Sequence, residues 1–176
     1  MLTYLLCVLK NISELIIVDP KFDLPSRWAR DNNVRVIAPN KNRSKSDFVS
    51  AVNNELSKCL DLILQRQQIL YDNPSAKFEH FIAVIDEVLA LSDGVSRPIK
   101  EAFFSLRSRI SLLGRASNVH LLLVSQRFDN NAIPISVREQ MNVLIQVGNI
   151  NSKTTQFLFP DLNLEGIVIP QGIGTG

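Results

Sequence analysis

Cysteine is almost missing from this chain of 176 residues, with Cys7 and Cys59 its two examples. Both fall in apolar stretches expected to be helical, so they read as reduced core residues, not as a disulfide pair or a metal site. Histidine is as scarce: His80 and His120 each lead into an apolar run, and two lone imidazoles do not make a ligand set. Both are expected at the rim of a sheet. Long apolar runs are missing too. The opening stretch MLTYLLCVLK is too short to span a bilayer, and it has neither the basic leader nor the small-residue cleavage site of a signal peptide. Charge of one sign is not in excess: 19 Lys and Arg against 17 Asp and Glu leave a formal +2, so any surface for nucleic acid must be local. Internal repeats, low-complexity linkers and the phosphate-binding pattern G-x-x-x-x-G-K-[ST] are all lacking. What remains, 45% hydrophobic and 20% charged, is an ordinary globular composition and implies one cytoplasmic domain over 1–176.

The chain alternates short apolar runs with helical patterns. A helix is expected over Leu2–Lys10, then a strand over 14–19 that ends at Asp19-Pro20. A second strand, 34–39, is also closed by proline. The basic loop 40–47 follows, and Ser46 or Asp47 is expected to cap a helix from about 48 to 71 with Val49, Val52, Leu56, Leu60 and Ile63 on one face. The run AVID closes the next strand. Pro98 suits the first turn of a helix reaching about 113, whose stripe is Ile99, Phe103, Leu106, Ile110 and Leu113. Strands are expected at 119–125, 143–148 and, at an edge, 165–170; the glycine-rich tail 172–176 reads as a loop. Continuous rather than alternating apolar strands, separated by helices, point to an α/β domain whose mostly parallel sheet has helices on both faces.

In such sheets chemistry gathers at the carboxyl ends of the strands. Three strands deliver polar groups there: Asp19 and Lys21, then Asp86 and Glu87, then Ser125, Gln126 and Arg127. The pair Asp86-Glu87 stands out, because two carboxylates at the end of a buried run are costly unless a cation meets them. An apolar strand ending in Asp-Glu is the pattern used to handle Mg-ATP: the first carboxylate orients the metal's water shell and the second acts as general base on the attacking water. The bland alternative is that Asp86 caps the segment that follows.

The wider constellation favours the first reading. LIIVDPK, IAVIDE, LLGRASNVHLLLVSQR and IPISVREQMNVLIQVG resemble, in that order, the motor domain of the FtsK/SpoIIIE family of DNA translocases. Within it they are most similar to the coupling proteins of conjugative transfer in Gram-positive bacteria. The resemblance spans about residues 2 to 170, and its most specific parts are Asp-Pro-Lys at 19–21 and the block at 114–127. It implies a RecA-like P-loop ATPase core, acting as a homo-hexameric ring that threads DNA through a channel, with ATP and Mg²⁺ as cofactors. By position, it implies that Asp86 is the metal-associated aspartate, Glu87 the catalytic glutamate and Gln126 the sensor. Asp19, Lys21 and Ser125 are assigned to nucleotide binding. Arg115 or Arg138 is the finger reaching a neighbouring subunit's nucleotide, and the sequence does not choose between them. Partners in a membrane complex are implied for the whole protein.

The chain departs from the family where the phosphates should be held. Without the glycine-rich loop, its lysine and the strand before it, ATP is not expected on this chain alone, and a non-catalytic α/β interaction or DNA-binding module is the alternative. DNA contact has separate support: from Arg97 to Arg138 there are seven basic residues against two acidic ones. Arg97, Lys100, Arg107 and Arg109 are the candidate phosphate contacts, with Lys100 and Arg107 expected off the apolar stripe and loop 92–98 as a channel loop. A solvated helix face is the alternative.

Overall fold

The computed structural model describes residues 1–129, 133–147, 152–163 and 165. Four strands form one all-parallel sheet in the order β2-β1-β3-β4: β1 is Ser13–Val18, β2 Arg35–Ile37, β3 His80–Ile85 and β4 Val119–Leu123. The α/β expectation holds. Both sides of the central strands are apolar, so alternate residues feed two cores. Ile16, Val18, Ala83 and Ile85 pack under α3 (Lys45–Asp72) and α5 (Arg97–Leu113), while Leu15, Ile17, Ile82 and Val84 pack under α1 (Leu2–Lys10) and α2 (Leu24–Asp31). This double burial is why the strands read as unbroken apolar runs.

The long helix α3 begins earlier than the sequence suggested. Ser44 is its cap, not Ser46 or Asp47: the Ser44 hydroxyl accepts from the Asp47 amide at 3.1 Å, and the Asp47 carboxylate accepts from the Ser44 amide at 3.1 Å. This reciprocal box satisfies two donors that a bare helix start leaves open. Its buried residues are Phe48, Val49, Val52, Leu56, Cys59, Leu60 and Ile63, which include all five that the spacing predicts. Cys7, by contrast, is exposed, where its Sγ lies 3.1 Å from the Trp28 indole nitrogen. The apolar stripe of α1 falls on Leu2, Leu6 and Leu9 instead.

Among the described residues four short α-helices escaped the sequence reading: α2, α4 (Val88–Ser92), α6 (Ile135–Arg138) and α7 (Ser152–Leu158), all too brief to show a period. The expected strand at 143–148 is a larger difference. Residues 143–147 form no strand, and Val143 and Ile145 are 72% and 60% exposed. A strand exists only through a paired neighbour, and among the described residues the outer edge of β4 pairs with nothing. Instead, 143–147 lies across a cavity of about 720 Å³ with Leu122, Leu123 and Leu158. Of the expected edge strand at 165–170, Glu165 is in a turn and 166–170 lie outside the described residues, as does the tail 172–176.

Gly114 joins α5 to β4. A Cβ there would sit 2.0 Å from the Val119 carbonyl oxygen and 2.7 Å from that of Ile110. Only glycine lets the helix end this close to the strand it feeds. Among the described residues, no helix is long and apolar enough to cross a membrane.

Candidate active site

The chain leaves β1 towards β2 on one side and later crosses to β3 on the other, so the carboxyl ends of β1 and β3 form the switch point of the sheet. Asp19 and Lys21 follow β1 there, and Asp86 and Glu87 follow β3.

Asp19 is fully buried, and its role is to shape the turn. Its Oδ1 accepts from the Lys21 amide at 2.9 Å. Its Oδ2 accepts from the Asp23 amide (2.8 Å), the Ser26 amide (3.2 Å) and the Ser26 hydroxyl (2.7 Å). Four donors satisfy a carboxylate in place of water, and they anchor the start of α2. Asp19, expected as a nucleotide contact, is therefore spent inside the turn, where a ligand does not reach it. Phe22, at φ 54°, completes the tight geometry that carries Lys21 outward.

Asp86 is half-buried. Its backbone N–H donates to the Val18 carbonyl at 2.9 Å, which ties the end of β3 to the end of β1. Burial, and then the neighbouring Asp19 carboxylate, push the Asp86 carboxyl above its ordinary range. A carboxylate so placed favours a cation. No three His, Cys, Asp or Glu side chains converge on a metal site among the described residues, so a Mg²⁺ on Asp86 would take its other ligands from water and phosphate, as Mg²⁺ commonly does.

Glu87 has the left-handed backbone, φ 47° and ψ 63°. For a residue with a Cβ this conformation costs on the order of 1–2 kcal/mol, and such strain concentrates at functional sites. It swings the side chain back over the sheet end. There Oε2 lies 2.8 Å from Lys21 Nζ and Oε1 accepts from the Ser125 hydroxyl at 3.4 Å. The cation that meets the carboxylates is thus Lys21, 46% exposed against 13% for Glu87. Glu87, its first partner, raises the Lys21 amine above its usual value. The Ser125 hydroxyl shares its one proton with the Arg127 carbonyl, which lies closer at 2.8 Å, and Gln126 is exposed beside it. So Lys21, Asp86, Glu87 and Ser125 come together, with Gln126 at the same sheet end.

The arginines are dispersed. Arg115 is exposed at the amino end of β4, a strand's length from Glu87. Arg138 closes α6 (Ile135–Arg138), where its guanidinium donates to the Phe157 carbonyl and stacks on the Phe157 ring at 5.3 Å, tying α6 to α7 (Ser152–Leu158). Neither lies against the carboxylates of its own chain.

On α5, Arg97 and Arg109 face solvent, Arg97 pairs with Glu101 at 2.7 Å, and Lys100 lies over the Phe104 ring. Arg107 does not belong to that surface: it is fully buried. Its guanidinium lies 4.4 and 4.8 Å from the rings of Phe103 and Phe104, and burial pushes it down to about 10. Residues 103 and 107 are one helical turn apart, so the arginine falls on the stripe that Phe103 draws. The sequence reading set it on the wrong face. His80 and His120 meet at the opposite, amino-terminal end of the sheet, as expected for its rim.

No protein-family model matches this sequence, and no curated protein matches it. Solved structures do. The conjugation coupling protein TcpA of pCW3, in a monomer form with ATPγS, superposes with a TM-score of 0.62 at 20% identity, over 90% of this chain and 48% of that one. The two share an α/β fold with an all-parallel sheet. The cytoplasmic domain of the type VII secretion ATPase EccC from Thermomonospora curvata gives a TM-score of 0.59 at 18% identity, over 85% of this chain and 18% of that one. The chain thus spans about half the length of the first and about a fifth of the second. The FtsK/SpoIIIE-type resemblance read from the sequence is met by these structures at the level of fold.

Proposed function

We infer that the chain is the catalytic-carboxylate part of an ATP-driven translocase that pumps DNA, of the kind that couples conjugative transfer, working as a homo-hexameric ring. In this reading Asp86 holds Mg²⁺ through its water shell and Glu87 takes the proton of the attacking water. Gln126 senses the γ-phosphate, and Arg115 or Arg138 reaches a neighbouring subunit's nucleotide. The observation that carries the reading is the strained Glu87 beside half-buried Asp86 at the switch point of the sheet, in a fold shared with a coupling protein solved with ATPγS. That arrangement is what hydrolysis needs from a chain that does not itself cradle phosphates.

The cradle must come from other residues, because a Gly-Lys-Ser/Thr loop is not among these 176. The reading assigns it to a strand and loop placed along the outer edge of β4, which is unpaired among the described residues. The motor domain is cytoplasmic in this account, with membrane-complex partners belonging to the whole protein. The missing lysine also favours a second reading, a non-catalytic module that binds DNA or protein. Calorimetric titration separates the two. In a protein where this chain follows a Gly-Lys-Ser/Thr loop, the first reading expects Mg²⁺-dependent binding of AMP-PNP that weakens in Asp86→Asn. Absence of nucleotide binding there favours the second.

A further inference from the structure

We propose that Lys21 is a latch on Glu87: it holds the carboxylate in a resting position, and a bound nucleoside triphosphate releases it by drawing the ammonium onto its terminal phosphate. The proposal rests on the ATPase reading above and adds to it a residue that switches partners.

The sequence separates the two residues by 66 positions, and the fold brings Nζ to 2.8 Å from Oε2. The contact is aimed from both sides. On one side, the buried Asp19 carboxylate accepts from the Lys21 amide itself and from three donors beyond it, which fixes the turn that carries the lysine. On the other, the left-handed backbone of Glu87 turns its side chain towards Lys21 and Ser125 and is held by the Asp86 and Val88 amides, which donate to the Val18 and Val124 carbonyls at 2.9 and 3.1 Å. Rigid supports on both partners make this more than a chance surface pair, which would have little hold.

The chemistry then follows. An ammonium seated 2.8 Å from Oε2 occupies the oxygen that would take the proton of the attacking water, so a general base held this way is idle. The lysine remains 46% exposed and can turn towards solvent, whereas Glu87 is mostly covered. A terminal phosphate offers the ammonium several charged acceptor oxygens against the single oxygen of Glu87 and competes for it. Once Lys21 moves, Glu87 can take the proton from the water that attacks the γ-phosphorus. The new P–O bond forms to that water, and the bond to ADP breaks with its electron pair leaving on ADP. Hydrolysis is thereby tied to the presence of the triphosphate.

Lys21 is a positioning residue in this scheme, and its amine reports its partner. Brief acetylation followed by mass spectrometry measures that amine against the exposed reference Lys77. Without nucleotide, Glu87→Gln should raise Lys21 labelling at pH 8 above the wild-type level, since an amine that has lost its carboxylate partner holds its proton less tightly. In the protein carrying a phosphate-binding loop, Mg-AMP-PNP should restore protection of Lys21 in Glu87→Gln, and Lys21→Met, with no ammonium to hold Glu87, should still turn over nucleotide. Equal labelling of wild type and Glu87→Gln without nucleotide removes the resting contact. Renewed protection that never appears, although AMP-PNP binds, removes the switch and leaves the ATPase reading standing. Failure of AMP-PNP to bind at all removes that reading and the latch with it.

Discussion

The imidazoles of His80 and His120 are hydrogen-bonded to each other across β3 and β4, Nδ1 to Nε2 at 3.0 Å, with ring centroids 5.2 Å apart. One nitrogen must carry a proton and the other must not, so the bond is lost when both rings are charged. Burial, and then His80, lower the His120 pKa from 6.5. The unfolded chain therefore binds more protons than the folded one just below pH 6.5, and stability rises with pH in that window. Thermal unfolding should show a melting temperature that is level above about pH 6.5 and falls below it until the folded His120 itself protonates. His120→Gln should flatten this segment of the profile. An unchanged profile would remove the pair as its source.

Asp19 predicts a second outcome. Because it satisfies three backbone amides and the Ser26 hydroxyl, Ser26→Ala should cost about 1 kcal/mol and Asp19→Ala roughly 3 kcal/mol, the larger figure reflecting buried donors left without an acceptor. Urea denaturation of the two variants checks this. A mild Asp19→Ala would mean that the turn finds other acceptors.

Gly114→Ala should destabilise the chain by about 3 kcal/mol, since its Cβ meets backbone and not a side chain that can move aside. The same denaturation series measures it, and a neutral result would contradict the close approach of α5 to β4.

For DNA, the account expects weak, sequence-independent binding of duplexes that falls steeply with salt. Alanine at Arg97, Lys100 and Arg109 together should weaken it and reduce the slope against salt by about one for each phosphate no longer neutralised. Arg107→Ala should instead lower stability by roughly 2 kcal/mol through poorer packing on Phe103 and Phe104, leaving the salt slope of the folded fraction unchanged. Fluorescence anisotropy with labelled duplexes decides. Binding that ignores salt, or that the triple variant leaves intact, would remove α5 as the DNA surface.

What could be read from sequence was whatever local pattern dictates. The apolar runs of β1, β3 and β4 and the period of α3 announce themselves, because both cores demand them, and the carboxylates that end β3 are visible for the same reason. Facts that depend on distant partners were not legible. Nothing in residues 143–147 says that they do not pair with the adjoining sheet edge, and nothing at Arg107 says that two phenylalanines lie against its charge. Glu87 reads as a catalytic residue from its neighbours alone, but its left-handed backbone and its ion pair with Lys21 appear only in the fold.

Turnover in Glu87→Gln tests the central claim most directly. The 176-residue chain alone should neither bind ATP usefully nor hydrolyse it. In a protein where the chain follows a Gly-Lys-Ser/Thr loop and assembles into a ring, phosphate release should be ATP-dependent, and Glu87→Gln should cut it by about a hundredfold or more while ATP binding stays as in wild type, because only the general base is lost. Unchanged phosphate release in that variant would contradict the role given to Glu87, and with it the catalytic reading of this site.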